Sequence, residues 1–168
     1  MHTKDYFIAL TNEELPALLN CIRSIPADND TYAPDAKARS ARRIVAHLIG
    51  HPDDLIQGIN EGRIDHRNET EFATYEEAAA TIEAQTKRLL AMIEQLDEKT
   101  WDEKPVDFYV WGNKLYTRSL RDMCYHHHSD MLHHRGQLST YYRSMGVRNP
   151  VIYGATAETI EEMMAAKG

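Results

Sequence analysis

Disulfides, membrane spans and basic tracts are all missing from this chain. Cysteine occurs twice in 168 residues, at Cys21 and Cys124, with no CxxC spacing. Both fall on expected apolar helix faces and read as reduced core residues, not as a disulfide framework or a redox pair. No segment approaches the roughly 20 apolar residues of a membrane span. Met1 to Leu10 sets Lys4 and Asp5 ahead of only a brief apolar stretch, too short and polar for a signal peptide. A cytoplasmic protein with no membrane partner is expected. Positive charge is scarce as well: 19 Lys and Arg stand against 26 Asp and Glu, for a net charge of -7. The nearest approach to a basic run, Lys37 to Arg43, is short, so a phosphate backbone would be repelled and nucleic acid is excluded as a partner. Internal repeats and low-complexity segments are absent too.

What is present is ordinary globular composition, 42% hydrophobic and 27% charged. The length suffices to bury a continuous core without staples, so one domain spanning 1–168 is expected. Thr11, Asn12, Glu13 and Glu14 form a capping-box pattern, and Leu15, Leu18, Leu19 and Ile22 come after it at helical spacing toward Pro26, with some of Tyr6 to Leu10 extending the helix upstream. Pro26 to Ala38 reads as a loop. Ser40 is the N-cap of a second helix through Ile44, Val45, Leu48, Ile49, Leu55, Ile56 and Ile59, with Pro52 as a potential kink. After a polar connection from Glu61 to Ala73, Thr74 opens a third helix that runs to Leu96. Trp101 to Tyr116 reads as a structured loop with a short hairpin around Gly112 and Asn113. Thr117 or Ser119 then caps the longest helix, which ends near Gly146, and a short helix from about Ala157 to Ala166 closes the chain. Four long amphipathic helices without a convincing strand pair imply an all-α fold, a four-helix bundle with a structured loop before the last long helix and a short C-terminal helix.

Nine histidines are the compositional oddity, and His126, His127, His128, His133 and His134 fall within one stretch of nine residues. On the last long helix Leu120, Met123, His127, Met131, His134, Leu138, Tyr141 and Met145 recur at threes and fours, an inward seam that contains two histidines. At about 100° per residue, His127 and His134 lie roughly 20° apart and Asp130 stands about 40° from His134, so the three side chains can converge. His126 and His133 form a second column about 100° away, nearer solvent or a neighbouring helix, and His128 points elsewhere. Asp130 and His134 have the i, i+4 spacing that presents two ligands to a divalent metal, with other helices completing the shell. The second helix offers His47 and His51, again four apart, and periodicity does not choose between them. The bland alternative is that these are hydrogen-bonded core histidines and surface polar residues.

The run Asp130-Met131-Leu132-His133-His134-Arg135-Gly136-Gln137-Leu138-Ser139-Thr140-Tyr141, with Arg143 and Gly146 after it, resembles the signature of the DinB/YfiT-like family of metalloenzymes. The resemblance extends to Pro150-Val151-Ile152-Tyr153-Gly154, to Ser40 through His47 and, through the order of helices, to most of the chain. It implies a bundle that binds nickel, zinc or a similar ion through one residue of the second helix and two residues a turn apart on the fourth. His47 matches the first of these and His134 the last. The position four before His134, commonly histidine in the family, is Asp130 here, a departure that puts the metal's identity and affinity in question. Arg135, Gly136 and Gln137 would either orient a ligand from behind through hydrogen bonds or permit close helix packing, the packing role being favoured for Gly136. His127, His133 and His51 stand as alternative or supporting groups, His127 and His133 also as candidate proton acceptors.

Three protein ligands leave an open coordination position, the arrangement of a catalytic metal. The resemblance implies a transferase, similar to thiol-dependent S-transferases, or a hydrolase. Its substrate would be a small molecule, with a low-molecular-weight thiol as the candidate partner and a homodimer as the assembly. The alternative is a non-catalytic metal-binding or stress-response bundle that dimerises.

Overall fold

The computed structural model describes residues 2–66 and 69–167. Met1 and Gly168 lie outside this range, as do Arg67 and Asn68 of the expected polar connection. Among the described residues there are six α-helices, α1 (Thr3–Arg23), α2 (Ala41–Glu61), α3 (Tyr75–Glu94), α4 (Glu98–Glu103), α5 (Leu120–Tyr141) and α6 (Ala157–Ala165), a single 3-10 turn at Ala27–Asn29, and three strands, β1 (Arg63–His66), β2 (Pro105–Val110) and β3 (Asn113–Ser119). The chain is mostly helical, and the all-α expectation is corrected by the sheet. β1 pairs parallel with β2, and β2 pairs antiparallel with β3.

The expected caps on three long helices are found: Ser40, Thr74 and Ser119 each accept a hydrogen bond from the backbone N–H three residues on, which satisfies one of the four orphan donors of a helix start. α1 differs. Its N-cap is His2, whose ring accepts from the Lys4 N–H, and the helix runs through the Thr11 capping box and Pro16 without a break. Thr11 is buried at 6% exposure, so tertiary packing, not a local start signal, accounts for it. α2 likewise continues through Pro52. α5 stops at Tyr141, and the turn after it closes at Gly146 with a φ of 80°.

The four long helices meet in cyclic order, α1 against α3, α3 against α2, α2 against α5 and α5 against α1. One apolar cluster, with Ile22, Ile44, Leu48 and Tyr142, fills one end. A second, with Trp101, Ile64, Val106 and Met123, fills the end that the sheet covers. Trp101 is fully buried, and its indole N–H donates to Thr3 Oγ1 over 3.0 Å. Trp111 stands 80% exposed on the β2–β3 turn. Trp111 and Gly112 both have positive φ, 49° and 77°, which is what a two-residue type I′ turn requires at its centre. Cys21 and Cys124 are buried free thiols; burial pushes Cys21 up to about 11 and Cys124 further, so both stay protonated. Among the described residues no helix is long and apolar enough to cross a membrane.

β1 is the element that brings a further histidine up against the long helices. Gly62 takes the left-handed conformation, φ 68°, that ends α2, and its N–H bonds back to Gly58 O. Glycine reaches that region without a Cβ clash. Gly58 itself lies against β1 and β2, since a Cβ there would meet Val106 and Ile64 at 3.2 and 3.3 Å. Strand alternation then sets Ile64 and His66 on one face. Ile64 is fully buried, and His66 stacks on Phe108 with ring centroids 5.6 Å apart.

Candidate metal centre

α2 carries His47, His51 and Asp54 at spacings of four and three; α5 carries His127, Asp130 and His134 at spacings of three and four. These patterns are mirror images, so two antiparallel helices in register bring His47 to His134, His51 to Asp130 and Asp54 to His127. The structure shows all three pairings: His47 and His134 rings 4.7 Å apart, His51 Nε2 3.3 Å from Asp130 Oδ2, and His127 Nε2 3.6 Å from Asp54 Oδ2. His66 reaches the same row from β1, its ring 5.0 Å from that of His47.

Three imidazoles converge on one carboxylate oxygen. Asp130 Oδ2 lies 3.2 Å from His47 Nε2, 3.3 Å from His51 Nε2 and 3.4 Å from His134 Nε2, and the His47 and His51 Nε2 atoms are 3.2 Å apart. Ligand atoms about 2.0–2.1 Å from a tetrahedral zinc are separated by about 3.3 Å, so these spacings match the edges of such a shell. Proton placement favours a cation as well. His134 Nδ1 is 2.7 Å from Gln137 Oε1, an acceptor, so Nδ1 carries the proton and Nε2 turns a lone pair toward the carboxylate. The Arg39 guanidinium, 3.5 Å from the same Nε2, is positioned to donate to that lone pair. His51 Nδ1 is buried and has no hydrogen-bond partner among the described residues. A lone pair facing a carboxylate repels it unless a proton or a metal lies between, and a second partner fixing the tautomer is the usual support of a histidine ligand. The residues therefore fit a divalent metal.

Burial pushes Asp130 up, but hydrogen bonds from His134, His47 and His51 outweigh that and hold it well below the usual carboxylate range whenever ring protons, in place of a metal, fill the gaps around Oδ2. Burial lowers His47 against the pull of Asp130, and it pushes His51 down to about 3. Neutral imidazoles and an ionised carboxylate are the protonation states that ligate metals. The group floors a cleft of about 400 Å³ whose wall includes Arg39, Phe108, His126, His133 and Gln137. His47 and His134 are each 4% exposed, while the Asp130 side chain keeps 36% of its surface.

The expected ligands His47, Asp130 and His134 thus come together, and their ligand atoms lie within 4.8 Å of one another. His51 sits beside them. Gln137 holds His134 from behind, and His133 lies at the cleft rim, exposed, with its ring 5.2 Å from His134. Two expectations need correction. Arg135 turns away from the histidines to α1, where its Nη1 meets Glu14 Oε2 at 2.6 Å. Gly136 faces open space, so no close packing depends on it. His127 lies one turn from the first group and belongs to a second, Asp54, His66 and His127. Asp54 and His66 went unnoticed in the sequence, although Asp54 falls seven residues after His47 on the same face. His128 points to α1 instead, its Nδ1 3.5 Å from Thr11 Oγ1.

Known proteins share this architecture. A family model described as DinB family matches residues 2–164. An uncharacterized protein of Bacillus subtilis strain 168, YjoA, is 26% identical over 122 residues, covering 73% of this chain and 77% of the relative. A crystal structure of that DinB-like protein superposes with a TM-score of 0.67 at 21% identity, covering 90% of this chain and 99% of the other. That likeness shows a shared fold.

Proposed function

The chain belongs to the DinB family, and from that premise we propose that it is a four-helix-bundle metalloenzyme that holds a zinc or nickel ion through His47, Asp130 and His134. The observation that carries the reading is the lone pair of His134 Nε2, fixed by Gln137 and aimed at Asp130 Oδ2 from 3.4 Å. When bound, such an ion lowers the pKa of a coordinated water or thiol and polarises a carbonyl or phosphoryl oxygen. The half-exposed Asp130 side chain leaves one side of the group open to the cleft, as a catalytic ion requires and a closed structural site does not.

The cleft residues supply the remaining chemistry. His133, in the cleft wall with its ring 5.2 Å from that of His134, is placed to accept a proton beside the ion. Arg39 at the rim offers a guanidinium to an anionic group on the substrate. A small molecule suits a cleft of about 400 Å³, and transfer of a low-molecular-weight thiol or hydrolysis are the reactions to screen first. We place the protein in the cytoplasm as a homodimer, for which the exposed Ile160, Met163 and Met164 of α6 offer apolar surface.

The test is elemental analysis of protein purified without a histidine tag, beside Asp130→Ala and His134→Ala. Near-stoichiometric zinc or nickel that both variants lose supports the reading. Protein that stays metal-free when offered either ion refutes it. A metal whose removal by chelator unfolds the chain would instead mark a structural site in a non-catalytic dimer.

A further inference from the structure

We propose that the cleft holds a second divalent cation, at a position formed by Asp54, His66 and His127 one helical turn from the first. It shares no ligand with His47, Asp130 and His134, and it does not rest on the reading of that group. The three ligand atoms lie within 4.8 Å of one another, and their donor set, two imidazoles and a carboxylate, suits zinc, cobalt(II) or iron(II).

The proton on His127 carries the argument. His127 Nδ1 is 3.1 Å from the Met123 carbonyl oxygen, which can only accept, so Nδ1–H donates there. Nε2 then presents a lone pair to Asp54 Oδ2, 3.6 Å away, too far for a hydrogen bond and unfavourable for two lone pairs. Either His127 carries a second proton or a cation sits between the two atoms. A second proton would place a charged ring, 5% exposed, beside the His51 ring at 5.3 Å. A ring nitrogen donating to a backbone carbonyl while the other faces a carboxylate is the orientation of a metal-ligating histidine. His66 completes the set from the other side, its Nδ1 2.6 Å from the same Asp54 oxygen. That contact is closed by a shared proton, and it opens when a cation replaces the proton and His66 takes its proton at Nε2 instead. Asp54 and His66 are both nearly enclosed, their side chains 10% and 9% exposed, yet the cleft reaches His66 and His127, which gives an ion a path in.

The full chain, freed of metal by chelator, is titrated with cobalt(II) under visible absorption and, separately, loaded with zinc and assayed for bound equivalents. Two equivalents are expected in the wild type, one each in His66→Ala, Asp54→Asn and His134→Ala, and none in His66→Ala/His134→Ala. One equivalent that His66→Ala and Asp54→Asn retain overturns the second position and leaves the first. One equivalent that His134→Ala retains but His66→Ala loses overturns the first and leaves the second. One equivalent lost in both single variants means a single shared site, and none bound by the wild type refutes both; each overturns the proposal. Should the variants fail to fold, the ¹⁵N spectrum of wild-type His127 decides. Its Nε2 resonance should move with zinc while Nδ1 stays protonated, and an Nε2 that keeps a proton in zinc-loaded protein overturns the proposal.

Discussion

α5 carries two buried polar clusters on different faces, and they are built on opposite principles. Toward α1, Arg135 Nη1 meets Glu14 Oε2 at 2.6 Å, Tyr153 OH donates to the same carboxylate at 2.5 Å, and Arg135 Nη2 reaches the Tyr153 hydroxyl. One positive charge faces one negative charge, and the carboxylate is met by both donors. Toward α2, two carboxylates, Asp54 and Asp130, face histidines whose lone pairs point inward. With those rings neutral, the second cluster carries two negative charges, and the Arg39 guanidinium meets it at the rim, on His134 and not on a carboxylate. Burying charge is tolerable only when it is matched. The first cluster is matched within the chain by an arginine and so reads as structure; the second is matched only when protons or a cation fill the gaps between its histidines and carboxylates, and it is the one we propose as a site.

Removing one partner of the matched cluster should have the largest effect on the fold. Arg135→Ala strands Glu14, whose side chain is 11% exposed, and a broken buried pair costs about 3–5 kcal/mol. Urea unfolding should show a loss of that size with metal content unchanged; a loss of metal instead would erase the distinction between the clusters. His134→Ala should do the reverse. Losing a ligand should weaken metal binding more than the roughly 10–100-fold that loss of a supporting residue costs. Without metal, the stability of His134→Ala should stay within about 1 kcal/mol of wild type, because the cleft beside it already admits water. Gln137→Ala tests the support itself: about 10–100-fold weaker binding, read by competition with a chromophoric chelator, with the metal-free fold intact. No change in affinity would mean that the His134 tautomer is not set by Gln137.

How much of this the sequence disclosed depended on whether a signal was local. Ser40, Thr74 and Ser119 are read correctly because a cap is decided within four residues. The Thr11 capping box misleads for the same reason, since Phe7 and Thr11 are packed into the core and the helix begins eight residues earlier, at Thr3. β1 is invisible locally: four residues, two of them charged, whose partner β2 lies more than forty residues on. With β1 hidden, His66 could not be placed, and Asp54 lost its closest contact. Apolar periodicity could not single out His47, because α2 is buried everywhere except a narrow stripe through Arg43, Asp53, Gln57 and Asn60, and His47 and His51 both fall on the wide buried side. Resemblance supplied His47, and the mirrored spacing of α2 and α5 would have supplied all six residues had the helices been taken as antiparallel.

The smallest effect should come from the hydroxyl that completes the matched cluster, and its pH dependence is the sharpest check on what that cluster is. Burial pushes the Glu14 carboxyl up, but the Tyr153 hydroxyl and Arg135 outweigh it, so its folded value lies below the ordinary 4.5. A lowered folded pKa means that folding prefers the ionised form. Its contribution is complete above pH 4.5 and is lost as the pH falls through the folded value. Tyr153→Phe removes one hydrogen bond to Glu14 whose donor stands at the surface, Tyr153 being 67% exposed, and should cost about 1 kcal/mol at pH 7. Because that bond is worth most to an ionised Glu14, the gap between variant and wild type should narrow once the pH drops below the folded value. Urea denaturation of both proteins at about pH 7 and about pH 3 measures it. An unchanged gap at the lower pH would mean that Tyr153 holds the 150–154 segment by ring packing on Arg135, whose guanidinium carbon lies 4.8 Å from the ring centre, and not by completing a charged network.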